Sequence, residues 1–512
     1  MAKTKLNHQQ LHAFSSITSG FAAALLLITL IALVIFISIR GSAYFWPMTI
    51  YQVDFTDTFK KQTSTYQISA WDKEELLANL NSRVQSQFVN QQTEAPYFRI
   101  NISQDVFQVI LKDGKVKLGK LVSLNSPNGV SNNFKDFEAV QENVKLLLSS
   151  LETIQFEQMA PLHERLSQYD KNQVAEDAPA RLRVLDAFFL AQEKSNDLQI
   201  ELEKYFILFE DAQKHQFRID IRDIEAVYQP NEMEIFAELE YMLERIVQFL
   251  GDSPKQAATS GGVFPALFGT VMMVLIMAVL VAPLGIMAAI YLHEYAPETA
   301  FTSFIRISVS NMAGVPSVVY GVFGLGFFVY VVGGTIDSLF YTDSLPSPTF
   351  GAPGLFWAAL TMALLTLPVV IVSTEEGLRR VPGGLRAGAY ALGATKWETV
   401  TKTVVPIASP GMITGLILAI ARAAGEVAPL ILVGAVKFAP SLPVDGEFPF
   451  LHLERQFMHL GVFIYDGAFH NQTNTQGSAM MFASCLLLLI IVFVLNLFAI
   501  VVRNKLRNRY TR

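Results

Sequence analysis

The chain has 512 residues, 51% hydrophobic and only 16% charged, an apolar excess with a charge deficit that points to the membrane. A net charge of −6, with no long basic run before the extreme C-terminus, gives no electrostatic case for a nucleic-acid partner. The single cysteine, Cys485, excludes an internal disulfide or a cysteine-based metal site.

The first element is an apolar run near 21–39, long enough as a helix to cross a hydrocarbon core about 30 Å thick. Gly41-Ser42-Ala43 also fits a secretory signal. The run is longer than a usual signal core, however, and Tyr44-Phe45-Trp46 reads as an interfacial anchor, so a retained helix is expected over 1–40 with its short leader.

The mostly polar interval 41–258 is expected to form an α+β domain outside the membrane. Val106 to Leu111, Asp113-Gly114 and Lys115 to Leu118 read as a hairpin with a type I′ turn, and Phe217, Ile219 and Ile221 alternate like a strand. Leu182, Leu185 and Phe189 have helical spacing, which Leu198, Leu202, Phe206 and Phe209 repeat. Asn231 and Glu234 form an Asn-x-x-Glu cap before Phe236, Leu239, Leu243, Ile246 and Leu250, an amphipathic helix suited either to the membrane surface or to packing within the domain.

Five further spans are expected in 259–512, near 264–292, 307–332, 354–372, 410–436 and 479–502, making six with the first. Lys3 and Lys5, the interval with Arg379, Arg380, Arg386, Lys396 and Lys402, and the basic tail Arg503 to Arg512 fall on one side. The connection 334–353 has no Lys or Arg, and 437–477 has only Lys437 and Arg455. The basic side is cytoplasmic, with both termini inside and 41–258 outside.

The interval 375–406 should be a helical elbow. Ser373-x-x-Glu376 and Thr395-x-x-Glu398 are capping boxes on either side of Gly393, where glycine can reverse the chain. No Gly-x-x-x-x-Gly-Lys-Ser/Thr loop occurs, so no cofactor or nucleotide is expected on this chain, and His293-Glu294 lacks the second histidine of a zinc motif.

Ala387-Gly388-Ala389, then Gly393 and distant Pro406, resemble the cytoplasmic coupling motif of ABC importer permeases, with Ala387 where that family places an acidic residue. Gly261 to Ala266, Asn311 to Gly321 and Ala421 to Leu430 bring the resemblance, over roughly 260–512, closer to the family's phosphate permeases. The resemblance implies an all-α core of the type I (MetI-like) fold, with the α+β domain inserted between helices 1 and 2 on the periplasmic face of a bacterial inner membrane. It also implies an importer subunit that is not itself an enzyme. Its partners would be a second homologous permease subunit, an ATPase dimer and a periplasmic phosphate-binding protein. The expected ATPase-coupling residues are Glu375, Glu376, Ala387, Gly388, Ala389, Leu392, Gly393 and Trp397.

Arg422 and Glu426 stand four apart, as on one helical face, inside an otherwise apolar span, where charge is costly and should face the bundle interior. Gly314, Gly321, Gly324 and Gly326 suit the third span to close helix packing, and a backbone break at Pro316 and Ser317 is the other reading, offering donors to an anion. On it Pro316, Ser317, Arg422 and Glu426 are the expected substrate-pathway residues, Arg422 meeting a phosphate oxygen and Glu426 limiting its hold. A static ion pair is the other reading of Arg422 and Glu426. At the level of the whole protein, the rivals are a permease for sulfate or molybdate and a membrane-anchored sensor.

Overall fold

The computed structural model describes residues 8–57, 62–70, 76, 97–255, 261–342, 346–446, 448–470 and 475–510. Lys3, Lys5 and Arg512, used above for sidedness, lie outside them. Two compact units emerge, Phe45–Arg245 and a second made of Met1–Tyr44 with Ile246–Arg512.

The chain begins with helix α1 (His8–Ala43). In the Phe45–Arg245 unit, β1 (Thr49–Asp57), β2 (Gln62–Ala70) and β3 (Tyr97–Ile102) form an antiparallel sheet ordered β2-β1-β3. A second sheet contains β4 (Val106–Leu111), β5 (Val116–Ser126) and the short β6 (Gly129–Ser131). The chain then makes helices α2 (Phe137–Thr153), α3 (Ala160–Lys171) and α4 (Pro179–Leu202), and returns as β7 (Phe206–Glu210), β8 (Gln216–Asp220) and β9 (Ile224–Tyr228) to complete the order β8-β7-β5-β4-β9. Phe107, Val109, Ile207 and Phe209 from the strands meet Phe137, Val144 and Leu202 from the helices in one core. Each such side chain contributes roughly 1.5–3 kcal/mol by leaving water.

Three sequence expectations in this unit are corrected. The β4–β5 hairpin forms, but only Gly114 in its turn has positive φ, at 85°, and Gly114 N donates to Leu111 O while Leu111 N donates to Lys115 O. Lys112 and Asp113 stay in ordinary conformations, so the connection is a three-residue loop closed by a glycine bulge rather than a type I′ turn, which needs positive φ at two residues. The helical spacing through Leu198 and Leu202 does not continue: α4 stops at Leu202, and Phe206 and Phe209 belong to β7, where strand pairing overrides the periodicity. Asn231 caps no helix. Its Oδ1 accepts from Ile50 N at 3.0 Å and its Nδ2 donates to Ile50 O at 2.8 Å and Ser103 O at 2.6 Å, tying β1 to the end of β3.

Helix α5 (Ile235–Gly251) carries the unit boundary within it, and α6 (Phe264–Ile290) begins the rest of the bundle. After α6 come α7 (Ala300–Met312), α8 (Ser317–Phe340), α9 (Leu355–Arg379), α10 (Gly383–Ala391), α11 (Lys396–Gly425) and the short α12 (Ala428–Val433). Strands β10 (Ala435–Val436) and β11 (Phe457–Met458) then pair in parallel before α13 (Leu460–His470) and α14 (Thr475–Tyr510). Among the described residues, six helices are long and apolar enough to cross a membrane: α1, α6, α8, α9, α11 and α14.

Helix α9 is the centre. Of its most apolar stretch 67% is buried within the chain, against 0% for α1 and α14, so α9 is the span the others pack around. With lipid tails as apolar as leucine, close packing has to hold such a bundle together. A Cβ built on Gly411 of α11 would lie 2.7 Å from the Cα of Gly377 in α9, so the two backbones touch where only glycine fits. The outer spans α1 and α14 meet at Gly41 and through an edge-on Phe36–Phe482 contact with centroids 5.7 Å apart.

Span boundaries moved as well. The third span starts at Ser317 rather than 307, because the chain unwinds at Ala313–Pro316 and leaves α7 as a separate helix. The fifth runs from Lys396 to Gly425 rather than from 410 to 436. Ser373 and Glu376 cap nothing: α9 runs unbroken through both, and Ser373 Oγ donates back to Val369 O at 2.7 Å.

Between β10 and β11, His452 Nδ1 lies 3.1 Å from Glu454 and Nε2 2.9 Å from Asp445, which also pairs with Arg455. Burial works against the charged imidazole, but the hydrogen bonds to Asp445 and Glu454 outweigh it and raise its pKa above the ordinary 6.5.

Two predictions follow from these contacts. Asn231→Ala should lower the unfolding midpoint of the protein by removing hydrogen bonds from buried backbone, at a cost of roughly 2–3 kcal/mol; thermal melting in detergent reads this. For His452, a raised folded pKa means stabilisation that is present below 6.5 and lost as pH rises through the folded value. The wild type should therefore melt lower at about pH 8 than at about pH 6 by more than the His452→Gln variant does.

Candidate functional site

Two broken helices meet inside the bundle. Pro316 cannot donate a backbone hydrogen bond and disfavours helix in the residue before it, which separates α7 from α8. The gap is stitched by Tyr320, whose hydroxyl donates to Met312 O, an end carbonyl of α7, at 2.8 Å. On the other side, Pro429 lacks the N–H that would reach the carbonyl of Gly425, and α11 ends there. Glu426 is extended, with φ −82° and ψ 132°, so the expected common helical face of Arg422 and Glu426 is corrected: the helix stops between them.

They still pair, Arg422 Nε to Glu426 Oε1 at 3.4 Å, both half-buried. Arg422 Nε is buried and makes no hydrogen bond among the described residues. The two breaks are brought together by α8 on α12: a Cβ on Gly321 would lie 2.7 Å from Pro429 Cα. Val315, Tyr320, Ala423 and Val427 share one apolar cluster. Pro316 is exposed and Ser317 half-buried at the N-terminus of α8. Gly321 and Gly324 allow close helix approach, since a Cβ there would meet Pro429 and Thr361, whereas a Cβ on Gly326 would meet nothing within 4 Å.

Sequence reasoning missed His459, which borders the Val427 turn through Gly461. It is fully buried, its Nδ1 accepts from Gly461 N at 3.1 Å, and burial pushes its pKa down to about 4, so it is a neutral imidazole with its proton on Nε2. Asp337, also missed, is a buried carboxylate, but its oxygens accept from the backbone of Thr349, Phe350 and Gly351 at 2.7–2.9 Å and so brace a turn.

The second candidate region is the elbow after α9. Helix α10 starts after Pro382, Gly393 reverses the chain with φ 86°, and Thr395 and Glu398 form the expected capping box, Glu398 N donating to Thr395 Oγ1 at 3.3 Å and Thr395 N to Glu398 Oε2 at 3.0 Å. The helix so capped runs on without interruption into the fifth span. Leu392 is 91% and Trp397 67% exposed, and Glu376, Ala387, Gly388 and Gly393 are exposed beside them, while Ala389 is half-buried. Large apolar side chains displayed on a polar turn mark a surface that something covers. Glu375 is turned inward instead, between Arg306 at 3.7 Å and Arg379 at 3.8 Å.

The elbow is pinned from within by Arg386. Its guanidinium donates to Glu294 at 2.8 Å, to Val381 O at 2.8 Å and to Leu378 O at 3.0 Å, joining α9 and α10 to the π-helical turn Tyr291–Tyr295 that ends the second span. Lys396 sits over the Tyr295 ring at 4.9 Å, and Arg306 donates to Leu292 O at 2.6 Å. The signal for this cluster was present in the sequence, since a carboxylate such as Glu294 at the end of an apolar span needs a partner.

The model of the family described as binding-protein-dependent transport system inner membrane component matches residues 281–510. The chain belongs to this family, the membrane-embedded permease subunits of ABC importers. Within it, similarity falls on the phosphate transport system permease protein PstA 1 of Mycobacterium tuberculosis (strain CDC 1551 / Oshkosh), 36% identical over 256 residues, 49% of this chain and 73% of that protein. The PstA of Yersinia pestis is 32% identical over 254 residues, 49% and 76% of the two chains. The probable ABC transporter permease YqgI of Bacillus subtilis (strain 168) is 32% identical over 262 residues, 49% and 81%. Among solved structures, a chain of the inward-facing MetNI methionine ABC transporter aligns with 47% of this chain and 94% of its own, at 17% identity and a TM-score of 0.35.

Arg386→Gln should leave Glu294 buried without its cation. The expected loss is on the order of 2–3 kcal/mol, below the roughly 3–5 kcal/mol of a fully buried pair because Arg386 keeps some exposure. Scanning fluorimetry should show a lower melting temperature for R386Q, with recovery when Glu294→Gln is added.

Proposed function

We propose that this chain is the translocating subunit of an ATP-driven importer of inorganic phosphate in a bacterial inner membrane. The observation that carries the reading is the identity of 36% with a phosphate permease, covering 73% of that relative. Arg422 supports it: a guanidinium among broken helices in an apolar bundle suits an oxyanion, and the N-terminus of α8 at Ser317 adds backbone donors beside Pro316. In this reading Glu426 holds Arg422 while the pathway is empty and yields it to phosphate.

A second homologous permease subunit completes the pathway, an ATPase dimer binds the elbow 375–406, and a periplasmic phosphate-binding protein delivers the anion. The elbow side, rich in Lys and Arg, faces the cytoplasm, as do both termini, and the inserted α+β unit faces the periplasm. ATP closes the ATPase dimer, which pushes on Leu392 and Trp397. Arg386 and Glu294 pass that displacement to the second span, and the continuous helix from Thr395 passes it to Arg422. Glu375 acts from inside, through Arg306 and Arg379, rather than by touching the ATPase.

The test is uptake of radiolabelled phosphate by the assembled importer, with sulfate and molybdate as competitors. Unlabelled phosphate should compete and the other oxyanions should not; competition by sulfate or molybdate instead would reject the substrate. Arg422→Gln should cut uptake about ten- to a hundredfold, the worth of a charge-assisted hydrogen bond, while the ATPase still co-purifies. Undiminished uptake would remove Arg422 from the pathway.

A further inference from the structure

Helix α5 presents an apolar stripe that nothing in the described structure covers. Projected at about 100° per residue, Ile235, Phe236, Leu239, Leu243, Ile246, Val247 and Leu250 all fall within an arc of about 120° that holds no polar residue. All but Ile246 are exposed large hydrophobics, Phe236 at 84%. The opposite side supplies the inward contacts, with Tyr241 and Phe249 buried. Glu240 and Glu244 lie beyond one edge of the stripe and are exposed, while the other edge carries Met242 and the buried Phe249. A stripe of this length, about 25 Å over the helix, is unlike the scattered apolar residues of an ordinary surface.

The end of α5 is fastened to two membrane spans. Val263 N donates to Phe249 O at 2.8 Å and Phe264 N to Asp252 O at 3.1 Å, so the second span starts directly on the last turn of α5. Tyr44, the residue after α1, packs its ring on Phe249 with centroids 5.6 Å apart. Gly262 is held so close that a Cβ there would lie 2.3 Å from Asp252 O. The ends of the first and second spans thus converge on Phe249, which fixes the C-terminal turn of α5 at the level where both spans leave the hydrocarbon.

We propose that α5 is an interfacial helix, its stripe lying in the headgroup and acyl boundary of the membrane. The occupant of the stripe is lipid. The chemistry sets the lipid too: the charged residues beside the stripe, Glu240 and Glu244, are acidic, so binding rests on apolar area and gains nothing from anionic headgroups. The proposal is independent of the transported substrate.

The single native cysteine makes the test direct. In a Cys485→Ser background, nitroxide labels placed one at a time at Phe236, Leu239, Leu243 and Val247, with controls at Glu240 and Glu244, are read by power saturation in the assembled importer in phosphatidylcholine bilayers. Stripe positions should collide more with oxygen than with a water-soluble nickel chelate, and the controls should show the reverse, a helical period visible across the set. Stripe positions open to the nickel chelate would overturn the proposal, and positions closed to both reagents would assign the stripe to a protein partner and overturn it equally. Replacing about a third of the lipid with phosphatidylglycerol should leave the depth readings unchanged; deeper insertion would contradict the acidic-flank argument. Labels that prevent assembly would themselves reject the lipid-facing placement, because a nitroxide is tolerated in acyl chains.

Discussion

Hydrocarbon offers no water to a broken helix, so every backbone group freed at Ala313–Pro316 and at Glu426–Val427 must find its partner or its shelter inside the protein. The chain meets this constraint by setting the two breaks against each other. Tyr320 closes one carbonyl of the first break, and Gly321 lets α8 lie backbone to backbone on the start of α12, just after the second. Their position follows from α9, whose burial makes it the wall against which α6, α8, α11 and α12 are laid. Irregular backbone survives here because regular helix surrounds it.

The same wall governs the elbow. Since α9 runs unbroken to Arg379 and α11 starts at Lys396, the turn between them is the short reversal of one antiparallel helix pair, in contact at Gly377 and Gly411. Leu378, Val381, Val404, Ala408 and Met412 fill the wedge behind it. A push on α10 has little soft structure in which to dissipate. Arg386 adds a lateral strut to the second span, with its donors spent on a carboxylate, an end-of-helix carbonyl and a turn carbonyl rather than on a flexible surface contact. Partial burial makes that strut less sensitive to salt than the exposed Lys402–Glu398 pair on the same elbow.

What was legible in the sequence was whatever depends on local chemistry or on span-length apolarity. The six spans could be read from hydropathy, the Thr395–Glu398 box from its spacing, and the β4–β5 hairpin from its alternation and Asp-Gly turn. Asn231 has the right spacing for a cap, yet its amide is claimed by Ile50 and Ser103, residues more than a hundred positions away. Phe206 and Phe209 carry a helical period that β7 overrides through pairing with β5 and β8. Ser373 and Glu376 match a cap motif inside a helix that has no reason to end, since Gly377 is there for packing against Gly411. In each case the motif was real and a tertiary partner decided its use.

The candidate pathway shows the same limit from the opposite direction. Arg422 and Glu426 could be singled out because charge inside an apolar span is costly, and the cost does not depend on secondary structure. Their geometry could not be read, because it turns on where Pro429 forces α11 to stop. The stop places Glu426 on extended backbone, free to rotate without unwinding a helix, whereas Arg422 rides on the last turn of a rigid one. A pair on one helical face would have had both side chains on the same rigid backbone, whereas here the carboxylate sits beyond the helix end on backbone that hydrogen bonds of the helix do not fix.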